Sequence, residues 1–311
     1  MAKKKNYIKP LDKEFIRLMT DFGFKRVFGS KENAGILKRF LNALFEGEMR
    51  IETVAFQDKE LQPAHADGKK IQYDIYCTTD KGDHFIIEMQ QADTENFPER
   101  MLFYISKAIV NQGLKGVSYI IAPVYCVVIT NFNLTNMSRS LLKDIVLSDR
   151  KTHEVYTEKA RLIFLSLPEL PHKWEKCETE LERLLYLIKN MEKLTRNSKP
   201  YKSGQYDEIF RASATDSLSE EEAVAYSESY YRLLEQESAI RFAEKKAEAR
   251  GEARGEARGL AQGIAQGMSQ GISQGIIEGF ITTARNLKSL GFNTEMIKKA
   301  TGLSEEEIEA I

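Results

Sequence analysis

Apolar residues recur at helical spacing in two stretches near the N-terminus. Phe15, Leu18, Met19 and Phe22 predict an amphipathic helix from about Asp12 to Phe28, closed by Gly29. Ile36, Leu37, Phe40, Leu41 and Leu44 predict a second from Asn33 to Phe45, ended by Gly47. The period then shortens to two. "IETVAFQ" reads as a strand, and "GKKIQYDIYCTTDKGDHFIIEMQQ" reads as two strands joined at Asp80-Lys81-Gly82. "PERMLFYISKAIVNQGLKG" reads as a helix that opens with Pro98 and closes at Gly113. "YIIAPVYCVVITNF" is a buried strand or strand pair interrupted by Pro123, and further strands are expected near Leu141–Leu147 and Leu162–Leu167. Beyond Pro171 the strand signal stops, acids and bases alternate, and "NSKPYKSG" at Asn197–Gly204 reads as a linker. This order predicts an α/β core to about residue 170 and an all-helical C-terminal half, divided into a helical region at 171–249, a glycine-rich tail at 250–280 and a terminal helical hairpin at 281–311.

The tail has its own period. From Gly251 to Gly279 every fourth residue is glycine, eight in all, and each costs a helix roughly 1 kcal/mol against alanine. Four residues advance a helix by about 400°, so the stripe drifts about 40° per repeat. It stays against a partner only if the helices wrap right-handedly. Leu260, Ile264, Met268, Ile272, Ile276 and Phe280 form an adjacent apolar column. Two readings follow: self-association through this face as a homo-oligomer, or an expanded repeat serving as a tether. After it, "NTEMIKKATGLSEEEIEAI" reads as helix, tight turn, helix, with Ser304 and Glu307 forming a capping box. The second helix carries Glu305, Glu306, Glu307 and Glu309, so a packing module is expected there rather than a DNA-reading helix.

Composition narrows the class only a little. The 311 residues have room for about two domains. A net charge of −1 neither supports nor excludes nucleic acid, because a basic face can coexist with an acidic one. Met1–Arg50 holds twelve Lys/Arg against six Asp/Glu, including Lys3-Lys4-Lys5, which reads as a solvated terminus. Cys77, Cys126 and Cys177 are odd in number and widely spaced, which argues against a disulfide framework or zinc site and for a reducing, cytoplasmic setting. Gly259–Ile277 is a 19-residue stretch without charge, but its four glutamines and two serines argue against a membrane span. His65, His84, His153 and His172 are scattered, so a histidine metal site is not expected; His84, near the turn, is expected to be exposed.

The hairpin is where chemistry concentrates. Alternate residues on a strand share a face, so Lys70, Gln72 and Asp74 go together on the first strand, and Ile86, Glu88 and Gln90 on the second. A three-residue loop with Gly82 in the left-handed position pairs Thr79 with Asp83, and therefore Asp74 with Glu88. Opposed like charges destabilise a sheet. A hard divalent cation, which takes carboxylate oxygens, is one reason to place them there. Gln90 could orient a water through its amide. The alternative is two solvated carboxylates on an edge hairpin. The apolar "FIIEM" context counts against that, since such a strand is usually central. On the following helix, Arg100, Tyr104, Lys107 and Asn111 lie along one side, which suits either a phosphate backbone or solvent.

"DIYCTTDKGDHFIIEMQ" resembles the PD-(D/E)XK nuclease core, and more closely the Rpn family of recombination-promoting nucleases and transposases. "MTDFGFKRVFG" at Met19–Gly29 is similar to that family's opening helix and "PERMLFYISKAIVNQGLKG" to its following one; "LSEEEIEAI" after a glycine-repeat tail also fits. The resemblance implies a restriction-endonuclease-like core over residues 10–170, with a central mixed sheet flanked by helices. It implies a metal-dependent DNA endonuclease using Mg²⁺, or Mn²⁺ in its place, with Asp74 and Glu88 as metal ligands and the Met89 carbonyl as a third donor. Gln90 falls where most of the superfamily has lysine. Lys70 or Lys25 could supply the missing cation, and Arg100 and Tyr104 could contact substrate. The rival reading is a catalytically weak DNA-binding or assembly protein with a nuclease-like fold.

Overall fold

The computed structural model describes residues 10–58, 60–61, 71–112, 120–135 and 137–311. Lys3-Lys4-Lys5, His65, Lys70 and Gly113 lie outside the described residues. The helices are α1 (Asp21–Phe28), α2 (Ala34–Leu44), α3 (Phe97–Val110), α4 (Glu180–Asn190), α5 (Lys199–Lys202), α6 (Asp207–Ser213), α7 (Glu220–Ser289), α8 (Thr294–Thr301) and α9 (Glu305–Glu309). The strands are β1 (Val54–Phe56), β2 (Glu60–Leu61), β3 (Ile71–Gln72), β4 (Ile75–Thr79), β5 (His84–Gln90), β6 (Val124–Thr130), β7 (Leu142–Ser148) and β8 (Val155–Ser166).

Among the described residues, six strands form one mixed sheet in the order β1-β4-β5-β6-β8-β7, and β2-β3 form a separate pair. The pairs β5–β6 and β6–β8 are parallel, while β1–β4, β4–β5 and β7–β8 are antiparallel. The middle of this sheet is buried on both faces. Every residue of β6 is buried, as are Phe85, Ile86, Ile87 and Glu88 of β5. Such strands read as continuous apolar runs rather than alternating ones, which is why the run after Pro123 forms a single central strand. One face packs on α1, α2, α4 and α6 through Phe24, Phe40, Leu184 and Phe210; the other is covered by α3 through Phe97, Met101 and Ile105.

Three expected features change. The helix predicted over Asp12–Phe28 forms only from Asp21, where the Thr20 hydroxyl accepts the Gly23 N–H at 3.0 Å. Before it, the Ile16 N–H donates to the Ser213 carbonyl at 2.8 Å and Phe15 bridges Ala214. Phe15, Ile16, Leu18 and Met19 are all buried, which one helix face cannot achieve for neighbours in sequence. Gly23 is needed at this start, because a Cβ there would lie 2.4 Å from the Arg17 carbonyl oxygen. The "NSKPYKSG" stretch contains the helical turn α5 instead of a plain linker: Pro200 is buried, and Tyr201 meets Phe15 and Phe210 at ring separations of 5.9 and 5.1 Å. The first strand of the hairpin is interrupted at Tyr73–Asp74, so Gln72 belongs to the β2–β3 pair and shares no strand face with Asp74.

The chain divides into two compact units, Met1–Glu237 and Ser238–Ile311. In the first, the core cluster runs from Phe15 to Leu233, so helices beyond residue 171 share the sheet's core. In the second, α8 and α9 are joined by Gly302 at φ +74° and pack through Ala284, Ile297 and Ile308. The expected caps are present: the Asn293 side chain accepts the Met296 N–H, and Ser304 and Glu307 form the capping box. The glycines from Gly251 to Gly279 lie on α7, where an added Cβ would meet no atom within 4 Å. Leu260, Ile264, Met268, Ile272, Ile276 and Phe280 are exposed. No helix among the described residues is long and apolar enough to cross a membrane.

Candidate active site

The β4–β5 hairpin has the expected register. Ile75 faces Ile87, Cys77 faces Phe85, and the Thr79 N–H donates to the Asp83 carbonyl across the turn. Gly82 holds the turn at φ +82°, a conformation glycine adopts without steric penalty. Continuing the register one step sets Asp74 opposite Glu88. The two are interlocked: the Asp74 N–H donates to Glu88 Oε1 at 3.1 Å, and the Met89 N–H donates to Asp74 Oδ2 at 2.9 Å. Each carboxylate therefore spends one oxygen on the neighbouring strand's backbone. Asp74 Oδ1 points to Lys25 Nζ at 3.4 Å, and Glu88 Oε2 accepts no protein donor among the described residues.

Burial makes this pair expensive to ionise. Glu88 is only 8% exposed. Its removal from water, followed by the charge on Asp74, pushes its carboxyl well above the usual range, against the opposing pull of Arg100 and Lys25. Burial also raises Asp74, although the Met89 N–H and Lys25 draw it back. Lys25 comes from α1, one turn after Asp21, which it meets at 2.5 Å. Burial alone would lower its pKa, but Asp21 and Asp74 more than offset that and the ammonium is held charged.

Gln90, at the end of β5, is held by both halves of its amide. Its Oε1 accepts from Arg100 Nη2 at 2.6 Å, and its Nε2 donates to the Ala92 carbonyl at 2.9 Å. One lone pair and one N–H remain. Arg100 thus turns toward the site from α3, with its guanidinium 5.8 Å from the centre of the Phe97 ring and its Nε buried without an acceptor. Tyr104, one turn on, packs edge-on against Tyr73, and its backbone carbonyl accepts the Tyr73 hydroxyl at 3.1 Å. Its phenol is pushed up to about 12, first by burial and then by Glu88. His84, expected to be exposed, is half-buried: its Nδ1 lies 2.7 Å from the Tyr76 hydroxyl and its ring stacks on that tyrosine.

The structure therefore gathers Lys25, Asp74, Glu88, Gln90, Arg100 and Tyr104 at one end of the sheet. Asp21 was not singled out in the sequence, yet its position four residues before Lys25 in "DFGFK" is an ion-pair spacing that could have found it. No group of three or more His, Cys, Asp or Glu side chains that could hold a metal ion occurs among the described residues. A fit to a divalent ion rests instead on the two carboxylates. Each has an oxygen without a backbone donor, and their mutual charge is only partly compensated by Lys25 and Arg100. Two carboxylate donors suit Mg²⁺, which takes few protein ligands and keeps several waters.

A search of curated proteins finds no significant match, and neither does a search of solved structures. A family model does match, over residues 18–243, which takes in the sheet, α1 to α6, the carboxylate pair and the first part of α7. That span carries the mixed sheet flanked by helices and every residue of the site described above, and the chain belongs to the PD-(D/E)XK nuclease family transposases.

Proposed function

We propose that the protein hydrolyses DNA phosphodiester bonds with a divalent ion, Mg²⁺ or Mn²⁺, held by Asp74 and Glu88 and by the Met89 carbonyl. The observation that carries this reading is the interlocked pair itself: a buried and a half-buried carboxylate, opposed across a central hairpin, each with one oxygen that no backbone N–H takes. When bound, the ion polarises the phosphate and lowers the pKa of water at the site.

The chain's own groups do the rest. Glu88 and Asp74 supply negative charge that the protein alone compensates incompletely, which sets the affinity for a dication. Lys25 neutralises part of Asp74 and places an ammonium where a phosphate oxygen can meet it. Gln90 brings no charge; Arg100, bonded to its amide, supplies a fixed cation beside it in place of the lysine of the acid-x-Lys motif. Arg100 also clamps Gln90, leaving one amide N–H to orient a water or a phosphate oxygen. Self-association through the glycine-rich face of α7 would bring two such sites together for paired strand cuts. In the rival reading the protein binds DNA without cutting it, because both halves of the Gln90 amide are engaged.

Nicking of supercoiled plasmid by purified protein separates the two. Nicking that requires Mg²⁺ or Mn²⁺ and stops with EDTA supports the nuclease. Retardation of the plasmid without nicking in either metal supports the binding protein.

A further inference from the structure

Asp74 opens onto a cavity of about 400 Å³, part of whose wall comes from α7. Ser229, Arg232 and Gln236 line it from three successive turns of that helix. Their placement is fixed locally. The Ser229 hydroxyl is buried and accepts the Phe22 N–H at 3.1 Å, and Leu233, between Arg232 and Gln236, is buried in the core.

Arg232 lacks a partner for a reason visible in the same cavity. The two acids there are Asp21 and Asp74, and Lys25 takes both, at 2.5 and 3.4 Å. Among the described residues the Arg232 guanidinium forms no hydrogen bond or ion pair, and the amides of Gln72 and Gln236 on the same wall form none either. Three planar donor groups, all solvent-exposed, therefore border the space beside Asp74 with no acceptor among the described residues. The lining charges cancel, two acids against two bases, so a dication at the carboxylates makes the cavity positive. A guanidinium fork matches two oxygens of a phosphate. A larger cavity of about 1060 Å³ shares Lys25 and Arg232 with this one, but its lining carries five acids against four bases, so phosphate is less favoured there. Arg232 thus borders both cavities, and only the smaller one also contains a carboxylate of the pair.

We infer that Arg232, assisted by Gln236, grips a backbone phosphate of the nucleic acid next to the one at the carboxylate pair, so that the root of α7 is part of the substrate cleft. This rests on DNA being the substrate. The contact is to backbone and carries no sequence preference.

The test is equilibrium binding of a labelled DNA duplex by the full-length protein at a series of KCl concentrations, with Ca²⁺ replacing Mg²⁺ to hold back cleavage. Loss of one phosphate contact lowers the slope of log affinity against log salt by about 0.9. Arg232→Ala is expected to show that drop, with affinity at low salt weaker by roughly tenfold. Arg232→Lys keeps the wild-type slope, since it keeps the charge. Arg211→Ala, at an arginine that lines the larger cavity but not the smaller one, also leaves the slope unchanged. In cleavage, Arg232→Ala raises KM with kcat little changed, the mark of uniform binding. A wild-type slope in Arg232→Ala overturns this inference and leaves the nuclease reading standing. Wild-type protein that binds no DNA overturns both.

Discussion

Replacing Glu88 with glutamine is expected to make the metal-free protein more stable while removing its activity. In Glu88→Gln the side-chain oxygen can still accept the Asp74 N–H, and the new amide N–H₂ lies beside the Asp74 carboxylate. What disappears is a like-charge pair with one buried and one half-buried member. For opposed side chains about 5 Å apart, an effective dielectric of about 20 gives a repulsion of about 3 kcal/mol. Lys25 and Arg100 offset part of this, and Glu88 escapes part by holding its proton. A net gain of about 1–2 kcal/mol remains, or about 3–6 °C in Tm for a unit of this size.

The pH dependence fixes the sign. Glu88 binds its proton more tightly folded than unfolded, first because of burial and then because of Asp74. Its contribution to wild-type stability is therefore full below the unfolded carboxylate range and is lost as pH rises toward the raised native value. Wild type and Glu88→Gln should melt together near pH 4 and separate as pH rises above the unfolded glutamate value of about 4.3. The assay is thermal melting in EDTA across that range. Added Mg²⁺ should raise the melting temperature of wild type and leave Glu88→Gln unmoved, because only the former has the second carboxylate. A Glu88→Gln protein less stable than wild type at alkaline pH, or a gain that does not change with pH, would refute the reasoning.

Lys25→Met removes a cation that favours the charged form of Asp74, so the acid limb of the pH–rate profile should move to higher pH; an unmoved limb means that Lys25 does not act on Asp74. Arg100→Ala should slow single-turnover cleavage about 10- to 100-fold with DNA affinity little changed, and an unchanged rate would make the Arg100–Gln90 bond a bystander. Gly263→Ala with Gly267→Ala distinguishes the two uses of the tail. No atom of the described residues crowds either site, so a plain tether gains about 1 kcal/mol of helix propensity at each, whereas a close-packed self-associating face loses its oligomer in light scattering at micromolar concentration.

The hairpin was legible because its information is local. Gly82 fixes the turn, the turn fixes the register, and the register brings Asp74 to Glu88. The parallel pairing of β5 with β6 was not fixed by any such turn, and the central position of β5 showed only in its apolar run. The start of α1 was misplaced because Phe15 to Met19 imitate a helical stripe, while contacts with Ser213 and Ala214, far along the chain, hold that segment out of the helix. Lys25 could be named but not chosen from sequence, since its approach to Asp74 depends on how α1 packs on the face of the sheet. Arg100 belongs to a row on α3 that the sequence offers either to a phosphate backbone or to solvent; the bond to Gln90 appears only once α3 crosses the sheet. Arg232 carried no signal at all, because one arginine on a highly charged helix is distinguished only by the cavity it borders.

The central claim is that Asp74 and Glu88 act together on a divalent ion to cut DNA. It is tested most directly by single-turnover cleavage of a labelled duplex by wild type, Asp74→Ala and Glu88→Ala, with Mg²⁺ and then Mn²⁺ titrated into each and DNA saturation verified by binding. Wild type should cleave with a saturable dependence on the metal. Both variants should keep the fold and the DNA affinity and lose cleavage by at least about a thousandfold, as for loss of metal-supported charge stabilisation. Cleavage by either folded variant at the wild-type rate, or wild-type cleavage undiminished by EDTA, would contradict the account.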